Sequence, residues 1–224
     1  MSDPKILKEF WYDLTDNERN NILQNCHEEY DKFLQGNEFD VEVVKRYFKI
    51  DNYKFFNSAE KGDLELVKTY IKLGADVRAD DECALRFAAE CGHLNVVKHL
   101  VKQGANVHAV DNYALRYAAE YGHLSIVKYL VKHGSNVHAV DDYALRSATV
   151  DGHLNVVKYL VEHGADIHAE DDCALKIAAE NGHLNVVKYL VKHGANVHAK
   201  DDFAFRYAAS HVHIDVVEYL KSLS

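Results

Sequence analysis

From Lys49 onward, apolar positions return in one figure every 30 residues. ALRYAAE (114–120) sets small and large apolar side chains at helical spacing. LSIVKYLVKHG (124–134) then carries Leu124, Val127, Leu130 and Val131 at i, i+3, i+6 and i+7, a single helical stripe. Gly122 follows the first segment and Gly134 falls at the end of the second, where left-handed caps would stop two short helices. A connector, SNVHAVD, leads into the next copy.

A shift of 30 residues superposes 109–138 on 139–168, and the same frame fits 79–108, 169–198 and the shorter 199–224. A diverged copy at 49–78 keeps Ala59, Gly62, Val67, Lys68 and Gly74-Ala75. Neither helix of a unit can bury its apolar face alone, so the copies must stack. The pattern predicts an all-α helical solenoid of six units behind an N-terminal segment, 1–48.

The units resemble the ankyrin repeat. The likeness rests on the block containing Ala88-Ala89, Gly92-His93, Val96-Val97 and Gly104-Ala105, repeated along the chain. The wording resembles most closely the ankyrin repeat proteins of giant DNA viruses of amoebae. Two departures stand out. The family's Thr-Pro-Leu-His is replaced by Tyr113-Ala114-Leu115-Arg116 and its equivalents, and the glycine turn at the hairpin tip is missing. Shortened hairpins are therefore expected, with Asp81, Asp111, Asp141, Asp171 and Asp201 capping the first helices directly.

In the N-terminal segment, Asp3-Pro4 resembles a helix start and Thr15-Asp16-Asn17-Glu18 a capping box. The helix that follows would end at Gly36, and DVEVVKRYF (40–48) resembles a decayed second helix. A capping role is one reading; a docking module that recruits a second component, such as a ubiquitin ligase, is the other. At the far end, Phe205, Val212 and Ile214 replace Leu, Gly and Leu, as expected of a terminal capping unit.

Charge narrows the partners. The chain has 26 Lys+Arg against 35 Asp+Glu, a net charge of -9, so its overall field repels nucleic acid and anionic membrane. No stretch approaches the roughly 20 apolar residues of a membrane span, and no signal peptide is visible at the start. Four cysteines, Cys26, Cys83, Cys91 and Cys173, are too few for a disulfide scaffold. A monomer in the cytoplasm is expected, a host cell's if the viral likeness holds.

Twelve of the 15 histidines fall in three columns: His93, His123, His153, His183 and His213; His133, His163 and His193; His108, His138, His168 and His198. Members of one column stand about 10 Å apart if units pack like helices, too far to share a metal ion. Scaffold roles are the reading, and no metal or cofactor is expected. Nucleophile, base and pocket do not converge anywhere, so no enzyme is expected. A basic column, Arg86, Arg116, Arg146, Lys176 and Arg206, is either a ladder for anions or a set of contacts holding units together through aspartates or connector carbonyls. The second reading is favoured.

The positions that vary between copies carry the functional expectation. They are Glu90 and Cys91, Glu120 and Tyr121, Val150 and Asp151, Glu180 and Asn181, at the ends of the first helices. In the ankyrin family these positions line the concave groove. The resemblance thus implies a non-catalytic module that binds a protein partner there, a host protein in a viral setting.

Overall fold

The computed structural model describes residues 14–17, 19–20 and 51–223. The expected helix ending at Gly36 and the half-repeat at 40–48 lie outside the described residues. Residues 51–223 form twelve helices: α1 (Asn52–Glu60), α2 (Leu64–Lys72), α3 (Ala79–Glu90), α4 (Leu94–Lys102), α5 (Ala109–Glu120), α6 (Leu124–Lys132), α7 (Ala139–Ala148), α8 (Leu154–Glu162), α9 (Ala169–Glu180), α10 (Leu184–Lys192), α11 (Ala199–Ser210) and α12 (Ile214–Lys221). Odd-numbered helices open the units and even-numbered helices close them. Each pair packs on the next, giving the expected all-α solenoid.

Sequence explains the curvature. First helices meet through the buried Ala84, Ala88 and Ala89, Ala114, Ala118 and Ala119, and Ala174, Ala178 and Ala179, so their axes approach closely. Second helices meet through Val96, Val97 and Leu100 and their equivalents, which hold them further apart. First helices are accordingly in closer contact with one another than second helices are, which places them on the inside of the curve.

Both helices of a unit end in the same device. After α5, Gly122 N–H donates to Ala119 O (3.2 Å) and His123 N–H to Ala118 O (2.8 Å). After α6, Gly134 N–H donates to Val131 O and Ser135 N–H to Leu130 O, each at 3.0 Å. These are Schellman caps, and they need a left-handed residue, here Gly122 at φ 73° and Gly134 at φ 98°.

The aspartate caps expected at the first helices are absent among the described residues. Where a family hairpin would stand, three successive residues adopt left-handed backbone: Val110 (φ 49°), Asp111 (54°) and Asn112 (59°), and likewise in the four other units from 79 onward. Asp81, Asp111, Asp141, Asp171 and Asp201 sit exposed in the middle of these turns. The polar residue one place later does the capping work instead, on another part of the unit. Asn112, Asp142 and Asp172 are buried, and their side chains accept the connector N–H of Asn136, Asp166 and Asn196, each at 2.8 Å. A left-handed residue other than glycine costs roughly 1–2 kcal/mol. Tying the turn to the end of its own unit offsets part of that.

The first histidine column forms the seam between units. These histidines start the second helices yet give them no side-chain cap. Four of the five reach back to the unit before them: His93 Nε2–H donates to Glu60 O (2.8 Å), His123 to Glu90 O (2.8 Å), His183 to Val150 O (2.7 Å) and His213 to Glu180 O (2.9 Å). The imidazole lies on the previous unit's glycine. A Cβ on Gly122 would stand 2.6 Å from His153 Nδ1, and one on Gly152 2.5 Å from His183 Nδ1. Glycine is required there twice over, for its backbone and for the ring above it. At the last unit Val212 takes this place, at φ 61° and 71 % exposed, with no ring against it among the described residues.

Candidate functional site: the first-helix face

Three rows of side chains run along the inside of the curve. The row nearest the left-handed turns is basic and aromatic. Arg86, Arg116 and Arg146 each donate from Nη2 to the first carbonyl of their own turn, Asp80 O (3.2 Å), Val110 O (3.1 Å) and Val140 O (2.9 Å). No aspartate side chain pairs with them among the described residues. The contact between units is aromatic instead. Arg86 lies over the Tyr113 ring at 4.9 Å, Arg116 over Tyr143 at 5.1 Å, and Lys176 over Phe203 at 5.7 Å. Arg116 also faces Tyr113 at 5.6 Å, so guanidinium and ring alternate from one unit to the next. The buried Nε of Arg86 and of Arg116 has no hydrogen-bond partner; Arg116 lies between two rings, and Arg86 faces one. The basic column is thus a clasp on the turn and a rung to the neighbour. The rings completing it, Tyr113, Tyr143 and Phe203, recur at the 30-residue period and form an aromatic column of their own.

The middle row holds Phe87, Tyr117, Ser147, Ile177 and Tyr207. Tyr113 and Tyr117 stack at 3.9 Å, and Tyr117 leads to Tyr121 at 6.4 Å. Burial and the hydrogen bond to Tyr117 hold the Tyr113 phenol above its ordinary range. At the first two units an open groove of about 430 Å³ is lined by Tyr53, Phe56, Glu60, Cys83 and Phe87 among others.

The outer row contains the variable positions. Cys91, Tyr121, Val150, Asp151 and Asn181 are exposed, while Glu90, Glu120 and Glu180 are half-buried. All eight sit at corresponding places in four successive units, so the structure brings them into a single file. Their freedom to vary has a backbone cause. The seam histidines take the carbonyls of Glu90, Val150 and Glu180, a contact that any residue can supply. In the unit 139–168 the first helix ends early, at Ala148. Thr149 Oγ1 donates to Arg146 O (2.6 Å) and competes with the helical bonds, leaving Val150 and Asp151 beyond the helix end.

The file is acidic. Burial first, then Glu120 and Glu60, push the Glu90 carboxyl up. The Tyr121 phenol is raised chiefly by Glu90, and the Cys91 thiol by burial and then by Glu90 and Glu60. A thiol held protonated in this way is a poor nucleophile. Cys83, Cys91 and Cys173 are free, and burial also raises the Cys83 thiol. Among the described residues no group of three or more His, Cys, Asp or Glu is arranged to hold a metal ion. The other two histidine columns are engaged locally. His133, His163 and His193 each donate from Nδ1 to the carbonyl of the tyrosine four residues back, at 2.7 Å. His138 and His168 meet Asp142 and Asp172 at 3.1 Å.

The family model for ankyrin repeats (3 copies) matches at residues 55–141, 111–171 and 145–223. The crystal structure of the human ASB11 ankyrin repeat domain is similar, with a TM-score of 0.67 and 24 % sequence identity. The match covers 75 % of this chain and 82 % of that one. None of the curated proteins matches. No helix among the described residues is long and apolar enough to cross a membrane.

Proposed function

This chain belongs to the ankyrin repeat family, whose members generally mediate protein–protein interaction, and from that premise we propose that it binds a protein partner through the concave, first-helix face without catalysing a reaction. One observation carries the reading. The residues that differ most between units stand at corresponding places in four successive units, and in three of the four the next unit's histidine holds them by a backbone carbonyl and not by a side chain. Side-chain identity there contributes little to stacking, so it is available for recognition. The contact residues are Glu90, Cys91, Glu120, Tyr121, Val150, Asp151, Glu180 and Asn181. Tyr121, 47 % exposed and at the end of a run of tyrosines, supplies the aromatic anchor. A monomer acting in the cytoplasm fits this role, with a host protein as partner if the likeness to viral repeats extends to biology.

The test is a pull-down with quantitative mass spectrometry, comparing the parent with Tyr121→Ala/Asp151→Lys. Loss of a hot spot is expected to weaken partner binding by at least ~2 kcal/mol. Because both side chains are exposed, stability should stay within ~1 kcal/mol of the parent. A partner captured equally by both proteins would place the binding surface elsewhere.

A further inference from the structure

The opposite side of the solenoid carries a charge pattern of its own. α2, α4, α6, α8 and α10 hold nine lysines against two glutamates, Glu65 and Glu162. These helices are therefore +7, and the rest of a chain of net charge -9 is -16. Lys98, Lys128, Lys158 and Lys188 recur at one place in four successive units, and all four are exposed. Lys102, Lys132 and Lys192 stand one helical turn further on, on the same side. None of the seven has a carboxylate partner among the described residues.

The column is also positioned. Lys128 Nζ lies 5.6 Å from the centre of the Tyr159 ring, Lys158 Nζ 5.9 Å from Tyr189 and Lys188 Nζ 5.5 Å from Tyr219, each ring belonging to the following unit. Tyr159 and Tyr189 are backed in turn by His163 at 3.8 Å and His193 at 4.0 Å. A lysine resting on a ring keeps its ammonium donors while its stem is already ordered, so binding an anion loses less side-chain entropy.

We propose that this second-helix side is a docking surface for an extended acidic polypeptide segment. Packed helices lie roughly 8–10 Å apart, which sets the interval between lysines in the column. A polyproline II chain turns once every three residues and advances about 9 Å in doing so. A segment with Glu or Asp at every third residue thus offers one carboxylate to each lysine in succession. Nucleic acid is less well served. The five helices contain no arginine fork for phosphate, and the tyrosine faces that could stack on bases are already covered by lysine and histidine. A membrane finds no exposed large apolar side chain on these helices among the described residues.

The experiment is fluorescence anisotropy with the full chain and a labelled peptide of about sixteen residues bearing Glu at every third position. Its control is an isomer of the same composition with the glutamates clustered at one end. The spaced peptide should bind saturably at low salt, bind more tightly than the isomer, and lose about ten-fold in affinity on raising salt to about 0.3 M. Lys98→Gln/Lys128→Gln/Lys158→Gln/Lys188→Gln should reduce binding by about ten-fold or more. That variant gives up ring contacts, so Lys102→Gln/Lys132→Gln/Lys192→Gln, which touches none of them, should also weaken binding while leaving the thermal melt unchanged. Tyr121→Ala, on the other face, should leave peptide affinity as it is. Equal binding by parent and both lysine variants, or tighter binding of a single-stranded oligonucleotide of equal charge, would overturn the proposal.

Discussion

Glycine and histidine at the unit seam show how a residue can be fixed by its neighbour's neighbour. Gly122 and Gly164 both sit at positive φ, at 73° and 96°. A Cβ on Gly122 collides with His153, whereas one on Gly164 meets nothing within 4 Å. Gly164→Ala should therefore cost only the left-handed backbone preference, about 1 kcal/mol. Gly122→Ala should cost about 1–2 kcal/mol more, because the imidazole must leave its seat. Urea melts of the two variants measure that difference, and equal losses would remove the histidine from the account. Arg116 makes a second case. It bonds Val110 O and lies between two rings, so Arg116→Ala is expected to cost ~1–3 kcal/mol in a denaturant melt, against under ~0.5 kcal/mol for an arginine that merely faces solvent.

Among elements, the left-handed turn before each first helix is the largest departure from the expected picture. The missing glycine tip correctly signalled that the hairpin would be altered, but not that three residues would turn left-handed with Asn or Asp buried at the third. That outcome depends on partners 24 residues away, such as the N–H of Asn136 reaching Asn112, which no local pattern displays. The turn is held by the arginine–aromatic ladder, and the ladder is incomplete at Cys173, where neighbouring units carry Tyr143 and Phe203. Cys173→Tyr would place a ring between Arg146 and Lys176. It should stabilise the chain by about 0.5–1 kcal/mol, read from a thermal or urea transition. A loss of stability would show that the half-buried site around Cys173 cannot admit the ring.

Across the whole molecule, charge is sorted by face: acidic on the first-helix side, basic on the second. The acidic file repels itself. Glu90 is half-buried, and its raised carboxyl reflects burial, then Glu120 and Glu60. With the folded value raised, the folded chain holds that proton more firmly than the unfolded chain does. The contribution is complete below the unfolded value of about 4.3 and is lost as pH rises through the raised one. Glu90→Gln should therefore match the parent near about pH 4 and exceed it at about pH 7 by a few tenths of a kcal/mol, since the group is partly solvated. Urea titrations at the two pH values test this, and a less stable Gln variant at neutral pH would refute it.

The helices from Asn52 onward and their glycine caps were legible in the amino-acid order, because period and local propensity act within a few residues of each other. The face proposed for binding shows in the amino-acid order only as variation between units. Which contacts make that variation harmless, the seam histidines on backbone carbonyls, could not be read from spacing. The ladder of arginine and tyrosine, the buried Asn112, Asp142 and Asp172, and the lysines resting on the next unit's rings all belong to the tertiary structure. Each joins residues 24 to 33 positions apart, and stacking alone brings such residues within hydrogen-bond or ring contact.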